Sequence, residues 1–169
     1  MKYKLMIFDN DGVFTDGGLY YMDGIEKFRK FNAKDGMGIR ILQQTSLIPA
    51  IITGKSSQEL EKRAEVLGID LLFQGIKNKL IVVKKLCKQF NATLDEIVYV
   101  GDDLNDLPVL EKVGLPICVH SACEELQKVC VYRTKKDGGA GAVREAIEFV
   151  LKKENVYKQA VDKFIKSLQ

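Results

Sequence analysis

Apolar residues along this chain fall into two patterns that alternate. Short, almost unbroken apolar runs occupy residues 4–9, 47–53 and 97–101, and such continuity is typical of strands buried on both faces of a parallel sheet. Between these runs, residues 56–67, 78–90 and 142–153 place apolar side chains at helical spacing, which predicts amphipathic helices. The alternation predicts a three-layer α/β fold, in which helices cover a Rossmann-like parallel sheet.

Weaker signals complete the order of elements. We expect further strands at residues 71–74, 116–119 and 129–132, and further helices from Asp35, over residues 107–113 and after Ser121. Capping signals mark helix ends: a capping box over residues 56–59, then Gly68, Asn78 and Asn91. Residues 4–9 would form the first and central strand of the sheet, and residues 1–169 would form a single domain.

Residues 18–31 interrupt the alternation directly after the first strand. Asp23-Gly24 separates two arms of alternating pattern, and an Asp-Gly pair in this position predicts a β-hairpin. The arms carry four aromatic side chains, Tyr20, Tyr21, Phe28 and Phe31. A plain surface excursion is the alternative, but an isolated hairpin is marginal in water and usually packs on something. We therefore expect a flap that projects above the sheet beside the end of the first strand.

Composition narrows the class of protein. A chain of 169 residues suits one well-buried domain, and 26 basic against 23 acidic residues give a net charge of +3 without a long basic block. We therefore expect no nucleic-acid partner. The four cysteines show no C-x-x-C spacing, which favours reduced thiols and a cytoplasmic location. No run is apolar enough to span a bilayer and the N-terminal run is too short for a signal sequence, so no membrane partner is expected.

Two carboxylates one residue apart, Asp9 and Asp11, follow the first strand in the sequence Asp-Asn-Asp-Gly. Ligands of parallel α/β sheets bind outside the carboxyl ends of strands, which makes both residues site candidates. An Asp carboxylate can attack a phosphoryl group and form an aspartyl-phosphate, if a divalent cation offsets the charge repulsion and a proton donor lies near the leaving oxygen. Asp9 would be the nucleophile, and Asp11 the acid and then the base. A turn with Asx capping is the alternative for an isolated match.

Two other positions carry groups suited to a phosphate. Thr53 ends the second long apolar run, and its hydroxyl and the amides at the next helix start can donate to a phosphate. A capped turn explains the same residues equally well. Lys79 lies in the first turn of a helix, where a cation opposes the helix dipole. A functional lysine and a merely solvated one are the two readings of that position.

A cluster of acids follows the most apolar strand. Asp102, Asp103 and Asp106 lie within five residues and would repel one another without a cation. Hard oxygen ligands of this kind suit Mg²⁺ better than the metals that prefer thiols or imidazoles. An acidic helix N-terminus would explain only one or two of the three. Finally, residues 138–141 form a glycine-rich entry to the last core helix, which is either a flexible connection or an anion contact.

Together these motifs resemble those of the haloacid dehalogenase superfamily of phosphotransferases. The matches are D-x-D-G at Asp9, a Thr at Thr53, a Lys before a helix at Lys79, and G-D-D-x-x-D from Gly101. Nearly the whole chain resembles the family of 3-deoxy-D-manno-octulosonate 8-phosphate phosphatases, over residues 31–40, 52–56, 73–75, 99–106 and 139–145. The resemblance implies a cytoplasmic, homotetrameric, Mg²⁺-dependent phosphatase without a cap domain, which hydrolyses a sugar acid phosphate through an aspartyl-phosphate.

The resemblance also implies a role for each site residue. The metal ligands would be the Asp9 carboxylate, the Asp11 backbone carbonyl and Asp102, with support from Asp103 and Asp106. Thr53 and Lys79 would hold the transferring phosphoryl group. The residues that match the family's contacts with its sugar acid are Asp11, Asn32, Ala33, Lys34, Asp35, Gly36, Arg40, Lys55, Arg63 and Lys79.

One position departs from the family pattern. Lys55 stands where the family usually has Arg after Thr-Gly, and a lysine lacks the planar fork that binds a carboxylate through two hydrogen bonds. A related group of enzymes that acts on nine-carbon, sialic-type sugar acid 9-phosphates also varies here, so such a substrate is the alternative to the eight-carbon acid. The run from Asp35 to Arg40 favours the eight-carbon acid.

Other activities are disfavoured by the same residues. In a dehalogenase the second Asp of the motif would be missing, and an ion pump would carry Thr at the position of Asp11. A phosphomutase needs a cap domain, and no insertion between Thr15 and Thr53 or between Lys79 and Tyr99 is long enough to be one. A catalytically inactive scaffold would have lost at least one charged group, and all of them are present.

The C-terminal residues 155–169 continue beyond the last core helix. They carry five apolar side chains, Val156, Val161, Phe164, Ile165 and Leu168. With the hairpin aromatics they predict exposed apolar surface, which usually marks an interface. We therefore expect a homotetramer in which the hairpin or tail of one subunit covers the active site of another.

Overall fold

A six-stranded parallel sheet forms the centre of the protein in this computed structural model, which describes residues 1–22 and 25–169. The strands among these residues are β1 (Leu5–Phe8), β2 (Tyr20–Met22), β3 (Ile25–Phe28), β4 (Ile48–Ile52), β5 (Leu71–Phe73), β6 (Ile97–Gly101), β7 (Leu115–Cys118) and β8 (Tyr132–Arg133). The sheet has the order β5-β4-β1-β6-β7-β8, and all of its neighbouring strands run parallel. The predicted α/β fold with β1 at its centre is confirmed.

Helices flank the sheet. They are α1 (Ala33–Leu42), α2 (Gln58–Leu67), α3 (Lys79–Gln89), α4 (Leu107–Leu110), α5 (Glu124–Val129), α6 (Ala142–Lys153) and α7 (Tyr157–Lys166), with a 3₁₀ turn at Leu94–Glu96. Helix α6 has the predicted bounds and buries the stripe that includes Val143, Ile147 and Val150; α1, α6 and α7 contact one another. Within the described residues, no helix combines the length and hydropathy required to cross a membrane.

The central strands are apolar because both of their faces are covered. Every residue of β1 and of β6 is buried, as expected for strands inside a parallel sheet. In the pairing of β1 with its two neighbours, Phe8 lies opposite Ile51 of β4 and Val100 of β6. The residues that follow these three strands are therefore brought to one edge of the sheet.

Several element boundaries differ from those predicted. The N-cap of α2 is Ser57, whose hydroxyl accepts from the Leu60 amide at 3.2 Å, so the helix begins one residue later than the Ser56 box implied. Gly68 ends the helix as predicted, with φ of 64°. The last strand was predicted at residues 129–132, but α5 continues to Val129 and the strand begins at Tyr132. Likewise α4 ends at Leu110, three residues early.

The segment after β1 contains the antiparallel pair β2 and β3. The predicted Asp23-Gly24 turn lies outside the described residues. The rings of Tyr20 and Phe28 stack across the two strands with their centroids 4.8 Å apart. Tyr21 and Phe28 remain 61% and 52% exposed, so the apolar surface expected of this segment is present.

The C-terminal tail is a helix that contacts its own chain. Helix α7 contacts α1 and α6, and Val156, Val161 and Phe164 pack against the hydrophobic core. Ile165 and Leu168 remain 49% and 69% exposed. Of the five tail residues expected to form exposed surface, three are therefore partly buried by the same subunit, because an amphipathic helix can fold back onto α1 and α6.

Candidate active site

A polar pocket of about 300 Å³ opens at the edge of the sheet where β1, β4 and β6 end. Asp9 follows β1, Thr53 follows β4 and Asp102 follows β6, and all three line this pocket. Asp11, Lys55 and Asp103 also contribute to its walls. The parallel register of three adjacent strands thus gathers side chains from positions far apart in the sequence.

Beneath the pocket, Lys79 joins two carboxylates. Its ammonium lies 2.8 Å from Asp9 Oδ2 and 2.7 Å from Asp106 Oδ1, and its side chain is 1% exposed. Burial disfavours the charged amine, but the Asp106 and Asp9 carboxylates outweigh this and raise the pKa of Lys79 above its usual value. The position at the start of α3 is therefore explained by a buried ion-pair network, and the reading of a merely solvated lysine is excluded.

Asp106 is held by three donors and lies below the pocket. Its Oδ1 accepts from Lys79 and, at 2.7 Å, from the Tyr99 hydroxyl, while its Oδ2 accepts from the Asp102 amide at 3.1 Å. The sequence reasoning did not single out Tyr99. The signal was available, because a tyrosine inside an otherwise aliphatic buried strand must find a partner for its hydroxyl.

Asp102 carries an unpaired, buried oxygen. Its Oδ1 has no hydrogen-bond partner among the described residues, and the Asp9, Asp102 and Asp106 carboxylates offer oxygens within 4.8 Å of one another. Burial, and then the charges of Asp9 and Asp106, raise the pKa of Asp102 to about 8. Burial likewise raises the pKa of Asp9 to about 6, against the opposing charge of Lys79.

This donor set fits a hard divalent cation. Lys79 and Tyr99 already donate hydrogen bonds to Asp106 below the pocket, whereas the Asp9 and Asp102 carboxylates line the pocket itself. A cation there would remove the cost of burying two ionised carboxylates. Asp103 is exposed and accepts from the Leu104 amide at 2.8 Å, so its contact within the described residues is local.

Glycine allows two loops to touch below the pocket. A Cβ at Gly138 would lie 1.8 Å from the Gly12 carbonyl oxygen, and one at Gly139 would lie 2.5 Å from the Asp16 amide nitrogen. The Gly139 amide donates to the Val13 carbonyl at 3.3 Å. The glycine-rich entry to α6 therefore packs against the loop that carries Asp11, a role different from both readings of the sequence.

Asp11 is contacted by two donors on the same oxygen. The Asn10 side-chain amide donates to Asp11 Oδ1 at 3.0 Å, and Arg29, directly after β3, forms an ion pair with that same oxygen. Nothing in the sequence distinguishes Arg29 from the other basic residues of the flap segment. Its place beside Asp11 depends on how β2 and β3 lie over the sheet.

Most residues matched to the sugar acid contacts are not among the residues that line this pocket. Asn32 caps α1, Ala33 and Lys34 begin that helix, and Arg63 donates to the Asn32 carbonyl at 3.2 Å. Asp35 is buried and accepts from the Arg144 amide at 2.9 Å; burial raises the pKa of Asp35 to about 6.

The two remaining members of the set lie against α2 or in another groove. Gly36 faces Arg63, since a Cβ there would lie 2.9 Å from its Nη2. Arg40 lines a separate groove with Val66, Phe164 and Leu168. The substrate roles of all these residues, inside the pocket and outside it, remain predictions.

Comparisons with known proteins point to one family of phosphatases. The family model for haloacid dehalogenase-like hydrolases matches residues 68–147. The chain is 42% identical over 148 residues to the 3-deoxy-D-manno-octulosonate 8-phosphate phosphatase KdsC of Escherichia coli K12, an alignment that covers 88% of this chain and 79% of that protein. The corresponding enzyme of Yersinia pestis is 40% identical over the same shares of both chains.

Solved structures show the same likeness. The 3-deoxy-D-manno-octulosonate 8-phosphate phosphatase of Moraxella catarrhalis, in complex with magnesium, phosphate and KDO, superposes with a TM-score of 0.90 at 39% identity and covers 99% of this chain and 94% of its own. The cobalt-bound deoxy-D-mannose-octulosonate 8-phosphate phosphatase of Haemophilus influenzae superposes with a TM-score of 0.85 at 34% identity, covering 89% and 88%.

Proposed function

Because the chain belongs to the 3-deoxy-D-manno-octulosonate 8-phosphate phosphatase family of haloacid dehalogenase-like hydrolases, we propose that it is a Mg²⁺-dependent phosphatase of a phosphorylated acidic sugar. The observation that carries the proposal is the pocket in which Asp9, Thr53 and Asp102 meet above the Lys79 ion pairs. The preferred substrate is 3-deoxy-D-manno-octulosonate 8-phosphate, hydrolysed to KDO and phosphate. The free state of all four cysteines supports a cytoplasmic location.

Mg²⁺ would be held by the carboxylates of Asp9 and Asp102 and by the backbone carbonyl of Asp11. The unpaired Asp102 Oδ1 supports this assignment, and Asp106 would act from below by fixing the Asp102 amide. When bound, the ion supplies positive charge that offsets repulsion between the nucleophile and the phosphate dianion. Magnesium in the Moraxella catarrhalis structure agrees with this choice.

In the first step, Asp9 attacks phosphorus and the bond from phosphorus to the sugar oxygen breaks. Asp11 gives its proton to that oxygen, and the sugar leaves as an alcohol. The Thr53 hydroxyl and the Lys79 ammonium would hold the phosphoryl oxygens. Lys79 suits this task because it lies 2.8 Å from the Asp9 carboxylate that receives the phosphoryl group.

In the second step, water attacks the aspartyl-phosphate. Asp11, now ionised, accepts a proton from that water, phosphate is released and Asp9 is regenerated with Asp11 protonated again. The Asp9 backbone stays fixed through both steps, because its amide donates to the Val100 carbonyl at 3.0 Å and its position is set by the central strand.

Sugar selection is proposed for groups at the pocket mouth. Lys55 lines the pocket and is exposed, so its ammonium is placed to attract a substrate carboxylate as a point charge. The absence of an arginine fork at this position is the observation that favours the second candidate, a nine-carbon sialic-type sugar acid 9-phosphate. Both candidates share the chemistry of the phosphate ester and differ only in the sugar.

Phosphate release from a small substrate panel tests the proposal. We expect the highest kcat/KM for 3-deoxy-D-manno-octulosonate 8-phosphate, a lower value for N-acetylneuraminate 9-phosphate, and for glucose 6-phosphate a value at least about tenfold below that for the eight-carbon acid, since a neutral sugar leaves Lys55 without a partner. EDTA should abolish turnover, and added Mg²⁺ should restore it. Equal efficiency on the hexose phosphate would contradict the acidic-sugar assignment.

Replacing Lys55 tests whether this residue binds the substrate carboxylate. Lys55→Met should raise KM for the acidic substrate by about tenfold, the loss of one partly exposed charge-assisted contact, and leave KM for glucose 6-phosphate unchanged. Lys77→Met, a basic-to-apolar change just before Lys79 and outside the pocket walls, is the matched control. An equal rise of KM for both substrates in Lys55→Met would show that Lys55 does not read the carboxylate.

A further inference from the structure

Arg29 is a basic residue with a nearly inaccessible side chain beside the active site. It follows β3 directly, and its side chain is 4% exposed, whereas that of Asp11 is 30% exposed. Burying a guanidinium is costly unless it is paired with a group of opposite charge. Asp11 provides such a partner, and so a residue of the flap segment is tied to a wall of the catalytic pocket.

The two donors to Asp11 among the described residues meet on one oxygen. Asn10 Nδ2 and Arg29 Nη1 both bind Oδ1, which leaves Oδ2 as the oxygen available to a substrate. Two donors from different directions fix the plane of a carboxylate better than one donor from the adjacent residue. The Arg29 contact is also charge-assisted and therefore the stronger of the two.

We infer that Arg29 is a positioning residue that holds the Asp11 carboxylate with Oδ2 directed at the leaving oxygen of the substrate. The inference rests on the role that the proposed function gives Asp11, although not on which sugar phosphate is the substrate. Proton transfer requires the acid within hydrogen-bond reach of the leaving oxygen, and a misplacement of about 1 Å costs about 10²-fold in rate. Arg29 itself makes no contact with the reacting atoms in this role.

A direct contact between Arg29 and the substrate is the competing explanation. The two roles differ in what a substitution changes. A positioning residue acts through Asp11, so its loss lowers kcat and has no further effect once Asp11 cannot transfer a proton. A substrate-binding residue contributes its own binding energy, so its loss raises KM whatever residue occupies position 11.

A double-mutant cycle over Arg29→Met and Asp11→Asn distinguishes these roles. With the best sugar phosphate as the substrate, because its poor leaving group needs the proton of Asp11, and with an aryl phosphate in parallel, we expect Arg29→Met to lower kcat on the sugar phosphate by about 10–100-fold with KM changed less than about threefold, and to lower kcat less on the aryl phosphate. In the Asp11→Asn background the same change should cost less than about twofold. Arg29→Lys, which keeps the charge, should recover part of the lost kcat.

Lys30→Met is the matched control, because Lys30 is the adjacent basic residue. Its side chain is 63% exposed, and its ammonium lies 3.8 Å from Asp16 Oδ2. It should retain wild-type kcat. Thermal unfolding of each variant shows whether it is folded. If Arg29→Met does not fold, the cycle with Asp11→Asn is measured with Arg29→Lys instead.

Two results would overturn the inference. One is a cycle in which Arg29→Met costs the same factor with and without Asp11, and the other is a rise of KM at unchanged kcat. Failure of the proposed function is recognised separately, because an Asp9→Asn variant that stays active would remove the aspartyl-phosphate mechanism itself. An additive cycle together with an inactive Asp9→Asn variant would remove only the role of Arg29.

Discussion

Burial sets the charge balance of the residues around Asp9. Asp9 is 3% exposed and Asp106 is inaccessible, and Lys79 is the cation that the structure places between them. One ammonium compensates two carboxylates, and Asp102 adds a third with an oxygen that has no partner among the described residues. The site is therefore short of positive charge, a state that favours binding of a divalent cation and the partial protonation of Asp9 and Asp102 without one.

This shortage predicts how the stability of the metal-free protein depends on pH. The pKa values of Asp9 and Asp102 are raised in the folded protein, to about 6 and about 8 from 3.8. Between pH 4 and pH 8 the folded state thus binds more protons than the unfolded chain, and its free energy of unfolding falls as the pH rises. In EDTA, the unfolding temperature should be lower at pH 8 than at pH 5.5, as measured by circular dichroism.

Added Mg²⁺ should raise the unfolding temperature again. The rise should be larger at pH 8, where the carboxylates of both Asp9 and Asp102 can bind the ion. At one hundred times its Kd the ion contributes about 2.7 kcal/mol, or about 5–10 °C in a chain of this size. Asp9→Asn should lose this shift and most activity, by a factor of about 10⁴ or more. A Mg²⁺ shift that is equal at both pH values, or that survives in Asp9→Asn, would contradict the proposed ligands.

At the scale of helices and loops, hydrogen bonds join the start of α1 to the start of α6, although the two are far apart in the sequence. Asp35 near the start of α1 accepts from the Arg144 amide and so caps α6, whose own N-cap is Gly141. Asn32 Nδ2 donates to the Gly139 carbonyl at 3.2 Å, and the glycine loop in turn touches the loop after β1. The loop of Asp11 is thus supported from behind by the entry to α6.

Gly138→Ala tests the support of the Asp11 loop. The added Cβ would lie 1.8 Å from the Gly12 carbonyl oxygen, so either loop must move, at a cost of about 3 kcal/mol in the free energy of unfolding. Because Asp11 lies next to Gly12, we expect kcat to fall along with the unfolding temperature. Ala140→Gly in the same loop, at an exposed position, is the control and should lower kcat by less than twofold. Wild-type kcat in a folded Gly138→Ala variant would show that this support is not needed for turnover.

What could be predicted from the sequence depended on how local each signal was. The strands, most helices and the strand-end residues Asp9, Thr53 and Asp102 follow from runs and motifs of a few residues. Pairings that depend on packing were not predictable in the same way: Lys79 with Asp106, Asp35 with the Arg144 amide, and Arg29 with Asp11. Each joins residues from different elements, so it is decided by the arrangement of those elements and not by either residue's neighbours in sequence.

At the scale of the whole molecule, several exposed apolar side chains need a partner. Tyr21 and Phe28 lie on the β2 and β3 pair, Ile165 lies in the last turn of α7, and Leu168 follows that helix. The groove between α1, α2 and α7 has a mixed lining, in which Val66 and Leu168 are apolar and Arg40 and Glu65 are charged. Soluble monomers rarely leave such surfaces uncovered. These residues support the proposal that identical subunits cover one another's exposed Tyr21 and Phe28 side chains.

A homotetramer with closed symmetry is the assembly that we propose. Light scattering at micromolar concentration should give about four times the 19.0 kDa chain mass. Tyr21→Ser should shift the protein toward smaller species and raise KM, because a neighbouring flap would no longer cover the pocket. Ile81→Ser, at a position 64% exposed on α3, should leave mass and KM unchanged.

The contribution of the tail is tested with the double variant Ile165→Ser/Leu168→Ser. Deleting the whole tail would be a poor test, since Phe164 packs on the core of its own subunit. A monomer with full activity would refute the model, and a tetramer whose KM is the same in all these variants would remove the flap and the tail from the substrate site.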